Sequence, residues 1–211
     1  MNNNENSNSA EILENKCLQP KKKTSALSEL FDYFELFIVS ACCVLLLFSF
    51  VIRICRVSGD SMLNTLHNTE LLVVSDFMYD PERGDVIVFH QTGNAPGDLN
   101  EPVVKRVIAT EGEWIDIENV DNKLVVTVYD SNQENPIVLI EEYANYYKGP
   151  GAYNYSNYPM QVPEGCVFVM GDNRGNSLDS RSDQIGFVDV RRILGKVVCR
   201  VLPIDKFGAI N

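Results

Sequence analysis

Lys105 and the serines of the segment Ser58-Gly59-Asp60-Ser61 are residues whose types could do chemistry together. A serine hydroxyl is a weak nucleophile until a base takes its proton. Histidine is the usual base, and the chain has only His67 and His90. A lysine can serve where burial lowers its pKa, because desolvation disfavours the charged amine. Lys105 has that opportunity. It sits in the run Val103-Val104-Lys105-Arg106-Val107-Ile108-Ala109, which is rich in strand formers. Alternate residues of a strand share one face. Lys105 therefore points to the same apolar side as Val103 and Val107, and Arg106 points away. Charged residues seldom enter such a face without a reason. A lysine snorkelling at a sheet edge fits the same pattern, so periodicity alone leaves both readings open.

Three polar segments hold the candidates. Residues 58–66 read SGDSMLNTL, residues 105–109 read KRVIA, and residues 171–181 read GDNRGNSLDSR. Serine–lysine hydrolysis needs neither a metal nor an organic cofactor. No CxxC pair or Cys/His cluster argues for a structural zinc.

The elements around these segments differ sharply along the chain. Residues 37–52, FIVSACCVLLLFSFVI, carry no charge. With Leu36 and the amphipathic flank before it, the run is long enough for a membrane helix, which needs about 17–25 residues. A buried core helix is the other reading, but such a helix in a small domain is rarely apolar on every face. The run starts more than thirty residues in, and no Ala-x-Ala-like site follows it. An uncleaved anchor at residues 33–53 is expected rather than a removable leader. Lys16, Lys21, Lys22 and Lys23 precede it, against Arg53 and Arg56 after it. That asymmetry places the N-terminus inside the cytoplasm and residues 54–211 outside. Residues 1–32 form a cytoplasmic tail with an Asn/Ser-rich, disordered opening.

The 211 residues carry 18 Lys+Arg against 29 Asp+Glu, a formal net charge of -11. A general nucleic-acid binder would show a basic face instead, so nucleic acid is not an expected partner. Beyond the anchor, β-like runs fall at residues 71–74, 85–89, 103–110, 114–117, 124–129, 167–170, 187–188 and 193–202. Turn signals such as Pro81-Glu82-Arg83-Gly84 and Pro163-Glu164-Gly165 separate them. No convincing helix alternates with these runs, so the fold class is mainly β with antiparallel sheets. Residues 130–162 are a loop-rich insertion carrying Tyr143, Tyr146, Tyr147, Tyr153, Tyr155 and Tyr158. They read either as a solvated loop with partly buried tyrosines or as a rim for an extended peptide or lipid headgroups. Cys55, Cys166 and Cys199 lie beyond the anchor, an odd number, so at least one is unpaired within a monomer.

Together the segments resemble those of bacterial type I signal peptidases, membrane-bound Ser/Lys proteases. SGDSMLNTL resembles the family's nucleophile box, RGDVIVF at 83–89 the strand box after it, KRVIATEGE at 105–113 the lysine box, and GDNRGNSLDSR the final box. The order matches and the resemblance covers about residues 30–202. It implies a signal-peptidase-like β ectodomain behind a single N-terminal transmembrane helix in the cell membrane. It implies Ser61 as nucleophile, Lys105 as general base and Ser177 as the serine that orients the lysine. Asp179 and Arg181 match a supporting salt bridge, and Met62 a residue shaping the substrate-facing surface. The implied substrates are exported preproteins, cut after a small-x-small site. The implied surroundings are the lipid bilayer and nearby protein-export machinery.

Two positions depart from the family pattern. Asn64 stands where the family usually has proline, which would rigidify the segment after the nucleophile. Gly59 stands where some members carry an oxyanion-binding serine, so the oxyanion hole would rely on backbone N–H groups, including that of Ser61. Rival readings are a peptidase specialised for a narrow cargo set and a non-enzymatic membrane-anchored β protein. A soluble self-cleaving Ser/Lys repressor would carry a DNA-binding helical domain in place of the apolar run.

Overall fold

The computed structural model describes residues 26–91, 102–146, 153 and 155–210. The expected disordered opening, Lys16, Lys21, Lys22, Lys23, Cys17 and Tyr147 lie outside the described residues. The chain divides into two compact units, Met1–Leu47 and Phe48–Asn211.

Helix α1 (Ala26–Val51) occupies the segment read as the anchor. Leu36, Phe37, Val44 and Leu45 are exposed along it. Among the described residues, no helix is long and apolar enough to cross a membrane. The helix gives way to strand β1 (Ile52–Arg56), so Ile52 and Arg53 at the end of the expected span are extended. Arg53 pairs there with Asp76 at 3.1 Å.

The second unit is antiparallel β, built from two sheets. Besides β1, the larger contains β2 (Leu71–Ser75), β3 (Val86–His90), β4 (Pro102–Ala109), β9 (Cys166–Met170), β10 (Val188–Asp189), β11 (Ile193–Leu202) and β12 (Gly208–Ala209). Its order is β1-β2-β11-β3-β4-β9-β10, with β12 beside β11. The smaller has order β7-β6-β5-β8, from β5 (Trp114–Val120), β6 (Lys123–Tyr129), β7 (Ile137–Val138) and β8 (Met160–Gln161). The insertion at 130–162 thus supplies β7 and β8, the outer strands of the smaller sheet.

Strand alternation divides the core as the sequence pattern requires. Val86 and Val88 pack with Val57, Met62, Leu66, Leu72 and Val74. Ile87 and Phe89, which alternate with them in sequence, pack with Val107, Val167 and Val169. Val103 joins the second group and Val104 the first, so β4 also presents alternate residues to opposite faces. A strand apolar on both faces, as β3 is, needs cover on both sides, and these clusters supply it. Burying a Val or Ile side chain stabilises by about 1.5–3 kcal/mol. Hairpin β5–β6 buries Ile115, Ile117, Leu124, Val126 and Val128 in a third cluster with Phe168 and Met170.

Candidate active site

The segment that carries Ser61 begins where β1 runs out. Val57 N–H donates to Glu70 O at 2.9 Å and Val57 O accepts from Thr69 N–H at 2.9 Å, which extends the β1–β2 pairing. Gly59 then turns the chain with φ +88°, a left-handed conformation that glycine adopts without a Cβ clash. Leu66 N–H donates to Met62 O at 2.8 Å and closes one helical turn. Apolar Met62 and Leu66 anchor that turn in the core, at 2% and 0% exposure. Ser61 is held at its start.

Lys105 Nζ donates to Ser61 Oγ at 2.8 Å and to Val104 O at 3.1 Å. The lysine is buried at 4% exposure, cross-strand from Ile87. Burial pulls its pKa down to about 8, against the carboxylates of Asp179 and Asp172, which raise it; Arg181 lowers it further. Half of the amines are then neutral near pH 8. A neutral amine beside a serine hydroxyl is a base within reach of its proton.

The segment at 171–181 folds around this pair. Asn173 N–H donates to Ser61 O at 3.0 Å, and Asn173 Nδ2 donates to Asp60 O at 2.9 Å. A Cβ added at Gly171 would lie 2.5 Å from Ser61 O and closer still to the Ser177 hydroxyl. Only glycine permits that approach. Arg181 and Asp179 form a buried two-point ion pair, with both N···O distances 2.8 Å. Burial alone would raise the Asp179 carboxyl. The Arg181 hydrogen bond and charge and the Gly171 N–H outweigh it and hold the carboxyl below the usual range. Arg181 also donates to Arg174 O at 2.9 Å, so the pair braces the loop between them.

The expected hydrogen bond between Ser177 and Lys105 is not formed. Ser177 is buried, and its Oγ makes no hydrogen bond of ordinary geometry. It lies near enough to Asp179 to help hold that carboxyl down. The lysine's two hydrogen bonds go to Ser61 and Val104 instead.

Several supporting residues escaped the sequence reading. Arg106 points away from the Lys105 side, but not into water. It is 1% exposed and grips buried Asp172 through Nε and Nη2 at 2.9 and 2.8 Å. Asp172 in turn accepts from Thr65 Oγ1 at 2.5 Å. One carboxylate thus ties the lysine strand, the final box and the nucleophile segment together. The insertion contributes a further brace. Glu141 receives both terminal nitrogens of Arg174, at 2.5 and 2.6 Å. The Tyr143 ring lies 4.0 Å from the Arg106 guanidinium. Tyr153 donates to Ser177 O at 2.5 Å. The five described tyrosines of the insertion therefore face protein: besides Tyr143 and Tyr153, Tyr158 lies edge-on to Phe168, Tyr146 donates to Leu124 O at 3.3 Å, and Tyr155 packs against the same core. At Asn64, Oδ1 accepts from Asn145 Nδ2 at 3.4 Å.

A cleft of about 200 Å³ opens onto Ser61 and Lys105. Arg56, Val57, Ser58, Gly59, Ser61 and Met62 line one wall, and residues 102–105 the other. Among the described residues, no group of His, Cys, Asp and Glu could hold a metal. Cys55, Cys166 and Cys199 are free thiols.

Comparison with known proteins points to one family. The model for "Signal peptidase, peptidase S26" matches residues 30–202. The chain is 36% identical over 182 residues to a probable signal peptidase I-1 of Synechocystis sp., covering 83% of this chain and 84% of that protein. It is 35% identical over 182 residues to a signal peptidase I of Bacillus caldolyticus, covering 81% and 90%. A crystal structure of a signal peptidase I from Enterococcus faecalis aligns with 25% identity and a TM-score of 0.39, over 56% of this chain and 97% of that one.

Proposed function

Because the chain belongs to the signal peptidases, peptidase family S26, we propose that Ser61 and Lys105 cut signal peptides from exported preproteins as a Ser/Lys dyad. The enzyme is a serine endopeptidase of the type I signal peptidase class. The observation that carries the mechanism is the 2.8 Å contact between Lys105 Nζ and Ser61 Oγ, made by a lysine only 4% exposed.

Neutral Lys105 takes the Ser61 proton as Oγ bonds to the scissile carbonyl carbon. The carbonyl π pair moves onto oxygen. When that oxyanion collapses, the C–N bond breaks and the protonated lysine gives its proton to the leaving amine. An ester to Ser61 remains. Water then adds to the ester carbon as Lys105 takes its proton, and the second collapse returns that proton to Ser61. Ser177 is read as the residue that orients the lysine: its buried, unpartnered Oγ is an acceptor for the N–H that a neutral amine has left.

The substrate lies extended in the cleft. Val57 turns its N–H and C=O toward the Thr69-Glu70 segment, so those of Ser58 face the other way, into the cleft. Opposite, residues 102–105 pair with β3 alone, because β9 pairing starts at Arg106. Both walls thus offer open backbone to an added strand. Val57, Met62 and Val104 give the cleft a shallow apolar lining that suits small side chains at alternate substrate positions. Residues 33–53 anchor the enzyme in the cell membrane, a reading that rests on the uncharged run after Glu35, and the four lysines before it against two arginines after it put the N-terminus in the cytoplasm. Ser61 lies eight residues past Arg53, at most about 26–29 Å of extended chain. That keeps it near the membrane surface, beside the preprotein and the export machinery.

The test is cleavage of a labelled preprotein in detergent or liposomes, with product mass read by mass spectrometry. Wild type should cut after a small-x-small site, and Ser61→Ala and Lys105→Ala should not. Cleavage by verified Ser61→Ala would remove Ser61 as nucleophile. A folded wild type that cuts only a few members of a preprotein panel would favour the narrow-cargo reading, for which Asn64 is the motivating departure.

A further inference from the structure

We infer that Asn173 is the residue that aims the Ser61 backbone N–H at the oxyanion, an inference that rests on Ser61 being the nucleophile. Asn173 holds two successive peptide groups of the nucleophile segment. Its side-chain Nδ2 donates to Asp60 O at 2.9 Å, and its backbone N–H donates to Ser61 O at 3.0 Å. In a trans peptide the N–H points opposite to the C=O of the same unit. Fixing Asp60 O toward Asn173 therefore fixes the Ser61 N–H away from it. Among the described residues, the Ser61 N–H has no hydrogen-bond partner. Ser61 itself lines the cleft. An unpaired N–H on the attacking residue, held by an outside clamp, is what a developing negative charge on the substrate oxygen needs.

The hydrogen-bond network assigns the orientation of the Asn173 amide. Turned over, its Oδ1 would face the Asp60 carbonyl, acceptor against acceptor. As placed, Oδ1 is buried without a partner. Leaving a buried acceptor unsatisfied is unfavourable, so this residue tolerates a loss on one side to keep a donor on the other. The turn supplies only one longer contact to the same carbonyl, from Leu63 N–H at 3.3 Å. Gly59 N–H donates to Asn68 Oδ1 at 3.4 Å, which steadies the Ser58–Gly59 peptide two units earlier. Asn173 is thus a positioning residue: it touches neither the substrate nor the reacting atoms.

The test separates transition-state from ground-state binding in the full-length enzyme in detergent. Asn173→Asp and Asn173→Ala remove the Nδ2 donor and keep the backbone N–H. The probe is a peptide aldehyde with a small-x-small sequence. Ser61 Oγ adds to the aldehyde carbon as its proton passes to Lys105 Nζ, the C=O π pair moves to oxygen, and that oxygen occupies the oxyanion position. Deleting an oxyanion donor outright lowers kcat about 10²–10³-fold, so misaiming one should weaken aldehyde inhibition and kcat about 10- to 100-fold. KM should stay within about twofold, since the interaction forms only in the transition state. KM and the inhibition constant do not depend on how much of a variant is folded, so partial unfolding cannot imitate this split. Unchanged aldehyde affinity, or KM rising in step with it, would overturn the assignment. Ser61→Ala runs alongside. If it is inactive while the Asn173 variants behave as wild type, this inference alone fails. If it cleaves, the nucleophile reading fails and takes the inference with it.

Discussion

The enzyme should become more stable when the Lys105 amine is removed, and the gain should depend on pH in a defined way. Lys105 is buried at 4% exposure, and burial is the dominant influence on its pKa, lowering it from 10.5 to about 8. At 1.36 kcal/mol per pKa unit, that change corresponds to about 3 kcal/mol. The sign follows from proton counting. Between pH 8 and 10.5 the unfolded chain binds more protons at this site than the folded enzyme does, so stability rises with pH there. Below pH 8 both states are protonated, and the folded state carries the full penalty of a buried ammonium.

Lys105→Met keeps an unbranched side chain of similar length and cannot titrate. Urea unfolding of wild type and variant, in the same detergent from pH 7 to 11, gives the difference in free energy at each pH. Other titrating groups are common to both proteins and cancel. Hydrogen bonds lost at Ser61 and Val104 shift the difference by a nearly constant amount. The diagnostic quantity is therefore the change with pH. Relative to the variant, wild type should gain about 3 kcal/mol between pH 8 and 10.5, with little change outside that window. A flat difference across the range would refute the claim that desolvation prepares this lysine. A difference that moved the other way would mean that the nearby carboxylates dominate.

The pH profile of kcat/KM should show an acid limb near pH 8, where Lys105 becomes neutral; steady-state kinetics between pH 6 and 10 measures it, and a limb at ordinary lysine pH contradicts burial as the cause. Gly171→Ala places a Cβ 2.5 Å from Ser61 O. An ordinary carbon–oxygen contact is about 3.3 Å, so the Ser61 backbone must move by about 0.8 Å. A misplacement near 1 Å can reduce kcat about 10²-fold, and single-turnover cleavage would reveal it; near-normal turnover would show that the loop yields instead. Asp172→Asn leaves Arg106 buried without its carboxylate and should destabilise by about 3–5 kcal/mol. Arg106→Met/Asp172→Asn together should recover part of that loss, which thermal unfolding of the double-mutant cycle can read.

Much of the larger sheet was legible because its strands are Val/Ile runs bounded by turn residues. β2, β3, β4, β9 and β11 fall within a residue or two of the expected runs. β1 was hidden because Ile52–Arg56 follows the apolar run with no intervening turn signal. The candidate pair Ser61 and Lys105 was legible through residue type, strand period and motif resemblance. Its supports were less so. Periodicity says that Arg106 leaves the Lys105 face, but it cannot say that Asp172, 66 positions away, waits there. The tyrosines at 143 and 153 read as loop residues because local sequence gives no sign of the buried arginine and serine carbonyl they meet. The crowding at Gly171 was equally invisible: it comes from Ser61, brought in by the fold.

The distribution of charge explains why burial governs the lysine. Three buried arginines, 106, 174 and 181, surround the site, and each has its own carboxylate: Asp172, Glu141 and Asp179. An unpaired arginine would repel the ammonium, and an unpaired aspartate would hold it charged. Paired, they leave opposing influences on Lys105, with Asp179 and Asp172 raising its pKa and Arg181 lowering it. Desolvation is left as the largest influence. Two of these pairs, Arg106–Asp172 and Arg174–Glu141, join segments far apart in sequence, and Arg181–Asp179 holds Gly171 N–H and Arg174 O within the final segment, so the groups that balance the field also fix the distance between Ser61 and Lys105. Breaking one pair should therefore change both quantities together. An Asp179→Asn variant that lost activity with an unmoved pH profile would show position to be separable from electrostatics here.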